Sequence, residues 1–373
     1  MSKQLCYAAC SFGLEAVVAR QLEQLGLEEV QARNARVYFR ADEEGIARAN
    51  LWLSAADRVY LVLSEFSAAT FEELFQGVKA IAWADYLPKT ALFPVLADSV
   101  RSTLKSVPDI QSVSKKAVVE ALKSAYGLSF FRESGAQYQI YVSILADRVS
   151  VCLNTSGQGL NRRGYRIKNG PAPLRETLAA GIISLSRWRD RPFYDLTCGS
   201  GTIAIEAALQ AKNRAPGFFR QFDAEAWSEA YQKAFRRQQE QAGAAVKKEV
   251  QTQIFASDIN PKMVEMAEFH AKRAGVADLI RFSVADARAF APKTPEGSIF
   301  SNPPYAIRMG ERKQVRELYR DMGARLRGLA HFKSYFICAD EQFESAYGKQ
   351  ADKKRKLYNG NIKCTFYQYF RSE

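Results

Sequence analysis

Histidine is almost missing from this chain: His270 and His331 are the only two among 373 residues. The six cysteines, Cys6, Cys10, Cys152, Cys198, Cys338 and Cys364, include no C-x-x-C pair. A zinc cluster needs such ligands at short spacing, so no metal is expected. Core packing in a reducing compartment is the better use of these thiols. Long apolar runs are missing too. None approaches the roughly 18 residues that a membrane-spanning helix needs. The start, Met1–Cys6, is too short in apolar residues for a secretory signal. A cytoplasmic protein with no membrane partner is expected. There is no fixed-period repeat and no low-complexity tract.

What is plentiful is positive charge, in one part only. The formal net charge is +13. Residues 1–160 hold 16 Lys+Arg against 17 Asp+Glu, whereas residues 161–373 hold 37 against 23. The second part should therefore meet a polyanion, with nucleic acid the natural choice. The competing reading is a basic protein without such a partner.

The hydrophobic pattern divides the chain into three units. Residues 1–66 read strand, helix, strand, strand, helix, strand, the order of a small split α/β unit. Its elements include a strand over 4–10, a helix from Leu14 to Leu25, and the β-branched run Arg58–Leu63. Residues 67–155 form a second mixed unit, with helices over 71–82 and 112–126, a strand over 92–97, and a hairpin turning at Ala146-Asp147. Lys115 and Lys116 lie on its second helix. The polar stretch Asn154–Gly159 reads as a linker into the third unit, 156–373. Next comes Asn161-Arg162-Arg163-Gly164-Tyr165-Arg166-Ile167-Lys168, either a solvated connection or a contact with an RNA backbone. A linking helix is expected within 172–190 and a polar helical insertion within 218–252. The insertion could cap a sheet or touch RNA.

The chemistry gathers in the third unit. Phe193–Cys198 reads as a buried strand, Gly199-Ser200-Gly201 as a tight loop, and Thr202 onward as a helix. This arrangement lets a small ligand lie against backbone at a strand's carboxyl end. The helix start favours a carboxylate on that ligand. Two later strands end in Asp258 and Asp286, placed to accept hydrogen bonds from ribose hydroxyls and from an adenine amine. Each Asp taken alone is more often a helix cap. A fourth strand ends in Ser301-Asn302-Pro303-Pro304-Tyr305. The Asn302 side chain and the Pro303 carbonyl offer two acceptors for an amine's two N–H groups. Tyr305 offers a ring face for a flat base. A proline-rich turn is the plain alternative, but the three preceding strand ends argue against it.

In that order, Asp195–Thr202, Asp258, Asp286 and Asn302–Tyr305 resemble the amino-methylating class I S-adenosylmethionine-dependent methyltransferases. The stretch from Arg162-Arg163-Gly164-Tyr165-Arg166 to Leu178-Ala179-Ala180 is similar to the THUMP-containing RNA guanine-N2-methyltransferases, whose nearest members act on 23S ribosomal RNA. The resemblance covers nearly the whole chain. It implies an α/β fold: a Rossmann-like methyltransferase domain, with a mostly parallel seven-stranded sheet and a C-terminal antiparallel hairpin, preceded by ferredoxin-like and THUMP α+β domains. It implies S-adenosyl-L-methionine as cofactor, held by Asp195, Cys198, Gly199, Gly201, Thr202, Asp258, Ile259, Asp286, Ala287 and Asn302. Catalysis falls to Asn302, Pro303 and Tyr305. RNA, 23S rRNA or a large-subunit precursor, is the implied partner, met by Lys115, Lys116, Arg162, Arg163, Arg166 and Arg308. Transfer RNA, an adenine or cytosine amine of DNA, and a non-catalytic RNA-binding role remain alternatives. Two departures stand out. Asp195 and Asp258 lie 63 positions apart, against roughly 20 in a simple nucleotide-binding unit. The second methyltransferase domain fused to some relatives is not in this sequence.

Overall fold

A computed structural model describes residues 3–166, 174–305 and 312–370. They are organised by two seven-stranded sheets. The first contains β1 (Gln4–Cys10), β2 (Glu28–Arg33), β3 (Arg36–Ala41), β4 (Ala56–Ser67), β5 (Val95–Val100), β6 (Ile140–Leu145) and β7 (Arg148–Asn154). Their order is β2-β3-β1-β4-β7-β6-β5. The two N-terminal units thus share one sheet. The reason is the length of β4. Its first half pairs with β1, and Tyr60 to Ser67 pair with β7 across a bulge between Val62 and Ser64.

Helices α1 (Glu15–Gln24), α2 (Glu43–Trp52), α3 (Phe71–Lys79) and α4 (Val107–Tyr126) accompany this sheet. Leu14, Val18, Leu22 and Ile46 join Cys6, Ala8, Val37 and Phe39 in a single apolar core. Asp42 caps α2 through the Gly45 amide at 2.9 Å, and Thr70 with Glu73 forms a capping box on α3. Helix α4 starts five residues before the expected Ser112. Pro108 lies in its first turn, where a missing N–H costs nothing.

The second sheet contains β8 (Phe193–Asp195), β9 (Ile254–Asp258), β10 (Ile280–Val284), β11 (Gly297–Ser301), β12 (Phe332–Cys338), β13 (Lys353–Asn359) and β14 (Ile362–Tyr369). Its order is β10-β9-β8-β11-β12-β14-β13. The strands from β10 to β12 run parallel, and the hairpin β13–β14 adds the antiparallel edge. Its helices are α5 (Glu176–Ser186), α6 (Thr202–Ala211), α7 (Glu229–Ala244), α8 (Pro261–Ala274), α9 (Arg312–Leu326) and α10 (Phe343–Tyr347). This is the doubly wound arrangement in which ligands bind beyond the strands' carboxyl ends. All six cysteines are buried. No helix among the described residues is long and apolar enough to cross a membrane.

The expected linker is not one. Asn154, Thr155 and Ser156 are fully buried. The Asn50 amide donates to Thr155 Oγ1 at 2.9 Å, the Thr155 hydroxyl donates to the Val59 carbonyl at 2.8 Å, and the Ser156 hydroxyl donates to Asn50 Oδ1 at 2.5 Å. Polar composition suggested solvent, but these groups satisfy one another instead. The insertion is a buttress. Gln238 on α7 donates to Glu44 on α2 at 2.8 Å. Trp227 stacks on Tyr138 at 4.9 Å, and its indole donates to the Gln137 carbonyl.

Candidate active site

The carboxyl ends of β8, β9 and β11 and the residues just beyond β10 surround a cavity of about 500 Å³. Cys198, Gly199, Thr202, Asp258, Ile259, Asp286, Ala287, Asn302, Pro303 and Tyr305 line it. Residues expected at the cofactor and residues expected at the acceptor thus meet in one space. Asp195 and Gly201 are not among the lining residues.

The two glycines serve different needs. Both adopt a left-handed backbone, with φ of +51° at Gly199 and +86° at Gly201. A Cβ added to Gly201 would meet Ala267 of α8 at 2.9 Å, so this glycine allows helix packing. A Cβ on Gly199 would find only Met263 Cε, at 3.8 Å, and would project into open space. Gly199 is therefore the position that leaves room for a ligand against the main chain. His270 of α8, fully buried, braces the loop through Ser200 O at 3.1 Å. Burial lowers its pKa, so it serves as a neutral prop.

The three carboxylates also differ. Asp195 is 1% exposed beneath the loop. Burial pushes its pKa up to about 8, helped by the nearby Asp258 charge. The Thr197 and Ala204 amides pull it down, without an aligned hydrogen bond to either oxygen. Asp258 accepts from the Gly199 amide at 3.0 Å and the Asn260 amide at 2.9 Å, tying the glycine loop to β9. Asp286 accepts from Arg288 Nε at 2.8 Å and 3.0 Å. That guanidinium holds it below the usual carboxylate range. Arg288 lines the cavity and was not anticipated.

The Asn302–Tyr305 turn is held from three sides. Thr197 Oγ1 and Ser301 Oγ lie 2.7 Å apart, joining the end of β8 to the end of β11. The buried Tyr319 hydroxyl donates to the Pro304 carbonyl at 2.6 Å. The Tyr305 hydroxyl donates to Asn302 Oδ1 at 2.7 Å. Tyr305 is thus more than a ring face: it occupies one of the two acceptors assigned to an amine. No donor among the described residues reaches the Pro303 carbonyl.

The basic residues divide sharply. Arg163, expected at RNA, is 3% exposed and pairs with Glu206 at 3.3 Å. It also donates to the Leu160 carbonyl at 2.9 Å, and the Tyr165 hydroxyl donates to Glu206 at 3.1 Å. A buried guanidinium whose three nitrogens all donate inward is not placed to meet a phosphate. Arg166 is likewise largely enclosed, paired with Glu176 at 3.3 Å and donating to the Thr202 hydroxyl at the start of α6. Both are internal braces, which corrects their assignment to the RNA surface. The signal for this was Glu206 itself, a lone acid in the apolar run 203–209 that requires a cation nearby. Lys115 pairs with Glu133 at 2.7 Å over the Phe93 ring. Arg162 and Lys116 are exposed. Arg308 lies outside the described residues. No three His, Cys, Asp or Glu gather into a metal-holding group among the described residues.

An S-adenosylmethionine molecule fits these features: an open glycine beside the main chain, an accepting carboxylate on the second strand end, and a cavity of about 500 Å³. Three family profiles match: "RlmL ferredoxin-like domain" over 6–60, "THUMP domain" over 68–154, and "RMKL-like, methyltransferase domain" over 163–368. YpsC of Bacillus subtilis (strain 168), named provisionally as an RNA methyltransferase, is 44% identical over 99% of this chain and 97% of its own length. The ribosomal RNA large subunit methyltransferase K/L of Shewanella frigidimarina (strain NCIMB 400) is 32% identical over 97% of this chain. This chain spans about half, 52%, of that relative. The crystal structure of SMU.472 with SAH, a protein provisionally named a methyltransferase, superposes with a TM-score of 0.94 at 40% identity, covering 100% of this chain and 99% of that one. The chain belongs to the RMKL-like family of S-adenosylmethionine-dependent methyltransferases, with a ferredoxin-like unit and a THUMP domain before the catalytic fold.

Proposed function

We propose that this enzyme methylates the exocyclic N2 amine of a guanine in large-subunit ribosomal RNA, in the cytosol. One observation carries the reading: the Asn302–Tyr305 turn lines the same cavity as Gly199 and Asp258. The THUMP domain and the names of the K/L relatives support RNA as the substrate. When bound, the cofactor supplies an electrophilic methyl carbon on a positively charged sulfur.

The protein's task is alignment. The target base leaves its stack, at a cost of a few kcal/mol. The Tyr305 hydroxyl swings away from Asn302 Oδ1, which then accepts one amine N–H while the Pro303 carbonyl accepts the other. The nitrogen lone pair is thereby turned out of conjugation and towards the methyl carbon. One N–C bond forms, one C–S bond breaks, and the amine releases one proton. Orientation of this kind contributes up to about 7–11 kcal/mol. Thr197, Ser301 and Tyr319 act as positioning residues that keep the turn in register with the glycine loop.

The test is transfer of labelled methyl groups to 23S rRNA, tRNA and duplex DNA, with mass spectrometry of the product nucleosides. N2-methylguanosine in 23S rRNA is the expected product. Label on duplex DNA, or on a base other than guanine, would overturn the proposal.

A further inference from the structure

We propose that the cavity between α1, the end of α2 and the far ends of α5 and α6 is a second binding site, for a phosphorylated nucleotide. It measures about 740 Å³. Helix α6 lines the methyl-transfer cavity with Thr202 and Ile203 and this one with Glu206, Leu209 and Gln210, a rise of roughly 4.5 Å between the nearest two, and no residue lines both. The two sites are therefore distinct.

The wall carries four arginines: Arg20, Arg187, Arg189 and Arg214. Glu206 is the single carboxylate in the lining, and its charge is met by Arg163 at 3.3 Å. The exposed side chains of Arg20, Arg187 and Arg189 have no hydrogen bond or ion pair with any described residue. Arg214 is engaged, donating to the Ala274 and Gly275 carbonyls and lying over the Phe219 ring at 4.9 Å, with only its Nε buried without an acceptor, so the free forks are those of the other three. Unpaired guanidinium groups around one hollow, with no opposing free acid, select an anion with several oxygens, and a phosphate fits their planar fork. Trp52, partly exposed in the same wall, offers a face on which a base can stack.

Arg187 closes α5 in the left-handed region, with φ of 56° and ψ of 29°, where glycine or asparagine is more usual. The nucleotide could belong to an RNA strand or be free in solution; the chemistry at the wall is the same.

The test fills the first cavity with saturating adenosylhomocysteine. Cytidine, cytidine monophosphate and a phosphorylated oligocytidine of about four nucleotides are then titrated, followed by tryptophan fluorescence and calorimetry. At least one phosphorylated probe should bind roughly tenfold or more tightly than cytidine. Arg187→Gly and Arg189→Ala should each weaken it by roughly tenfold. Arg187→Gly puts the more usual residue at a left-handed position, so its melting temperature should not fall, and adenosylhomocysteine affinity should hold in both variants. A clear advantage of the oligomer over the monophosphate would identify an RNA strand as the occupant; equal affinities would identify a free nucleotide. Failure of both phosphorylated probes to bind, no preference over cytidine, or full affinity in both variants would overturn the site.

Discussion

The two sheets have the same number of strands and display their side chains in opposite ways. From β10 to β12 the strands run parallel, so their carboxyl ends share one rim. Groups from four strand ends therefore converge on a single cavity. In the N-terminal sheet only β5 and β6 are parallel, and alternating directions scatter the strand ends between two rims. What that sheet presents is a face. Tyr7, Tyr38, Tyr60 and Tyr141 form a row across β3, β1, β4 and β6, with ring centroids of neighbours 4.9 to 5.5 Å apart. Arg36 lies over Tyr7 at 4.7 Å. A parallel sheet builds a point suited to chemistry; an antiparallel one builds a surface suited to support or contact.

The comparison can be broken first at the join. Arg163→Ala would leave Glu206 buried without its cation and remove the donor to Ser54 beside the N-terminal helices. The expected loss is about 3–5 kcal/mol, read from denaturant unfolding. A loss below about 1 kcal/mol would mean that the Arg163–Glu206 pair does not secure the join between the two sheets.

Next comes the rim itself, where two positions should separate chemistry from binding. Asn302→Ala should lower turnover by about 100-fold or more while leaving cofactor affinity intact. Asp258→Ala should instead weaken cofactor affinity by roughly tenfold, since it also frees the Gly199 amide. Calorimetry beside a methyl-incorporation assay checks both. Full activity of the Asn302 variant would remove the turn from catalysis, and an unchanged dissociation constant for the Asp258 variant would remove its carboxylate from the cofactor's contacts.

The last prediction concerns pH. Burial keeps Asp195 protonated to about pH 8, whereas an unfolded aspartate ionises near 3.8. Between these values the folded state holds an extra proton, so stability should fall as pH rises from about 4 to about 8. Asp195→Asn should abolish that part of the slope. Melting temperatures of both proteins across this range test it, and parallel profiles would show that Asp195 ionises normally in the fold.

Much of this was legible in the chain. Strand, glycine loop and helix at Phe193–Leu209 follow from local pattern. So does the succession of strand ends at Asp258, Asp286 and Asn302, because each depends on residues a few positions apart. Resemblance to a known family supplied the cofactor and the order of the domains. The tertiary structure alone decided which charges face inward. Arg162 and Arg163 are neighbours in sequence, yet the first is exposed and the second is enclosed against Glu206, 43 positions away. It also decided that Asn154–Ser156 is a buried joint, that Gly201 serves packing while Gly199 leaves space, and that Thr197 meets Ser301 across 104 positions. Periodicity reports on neighbours along the chain. A buried charge or hydroxyl is settled by whatever partner the crossing of distant segments brings within hydrogen-bond reach.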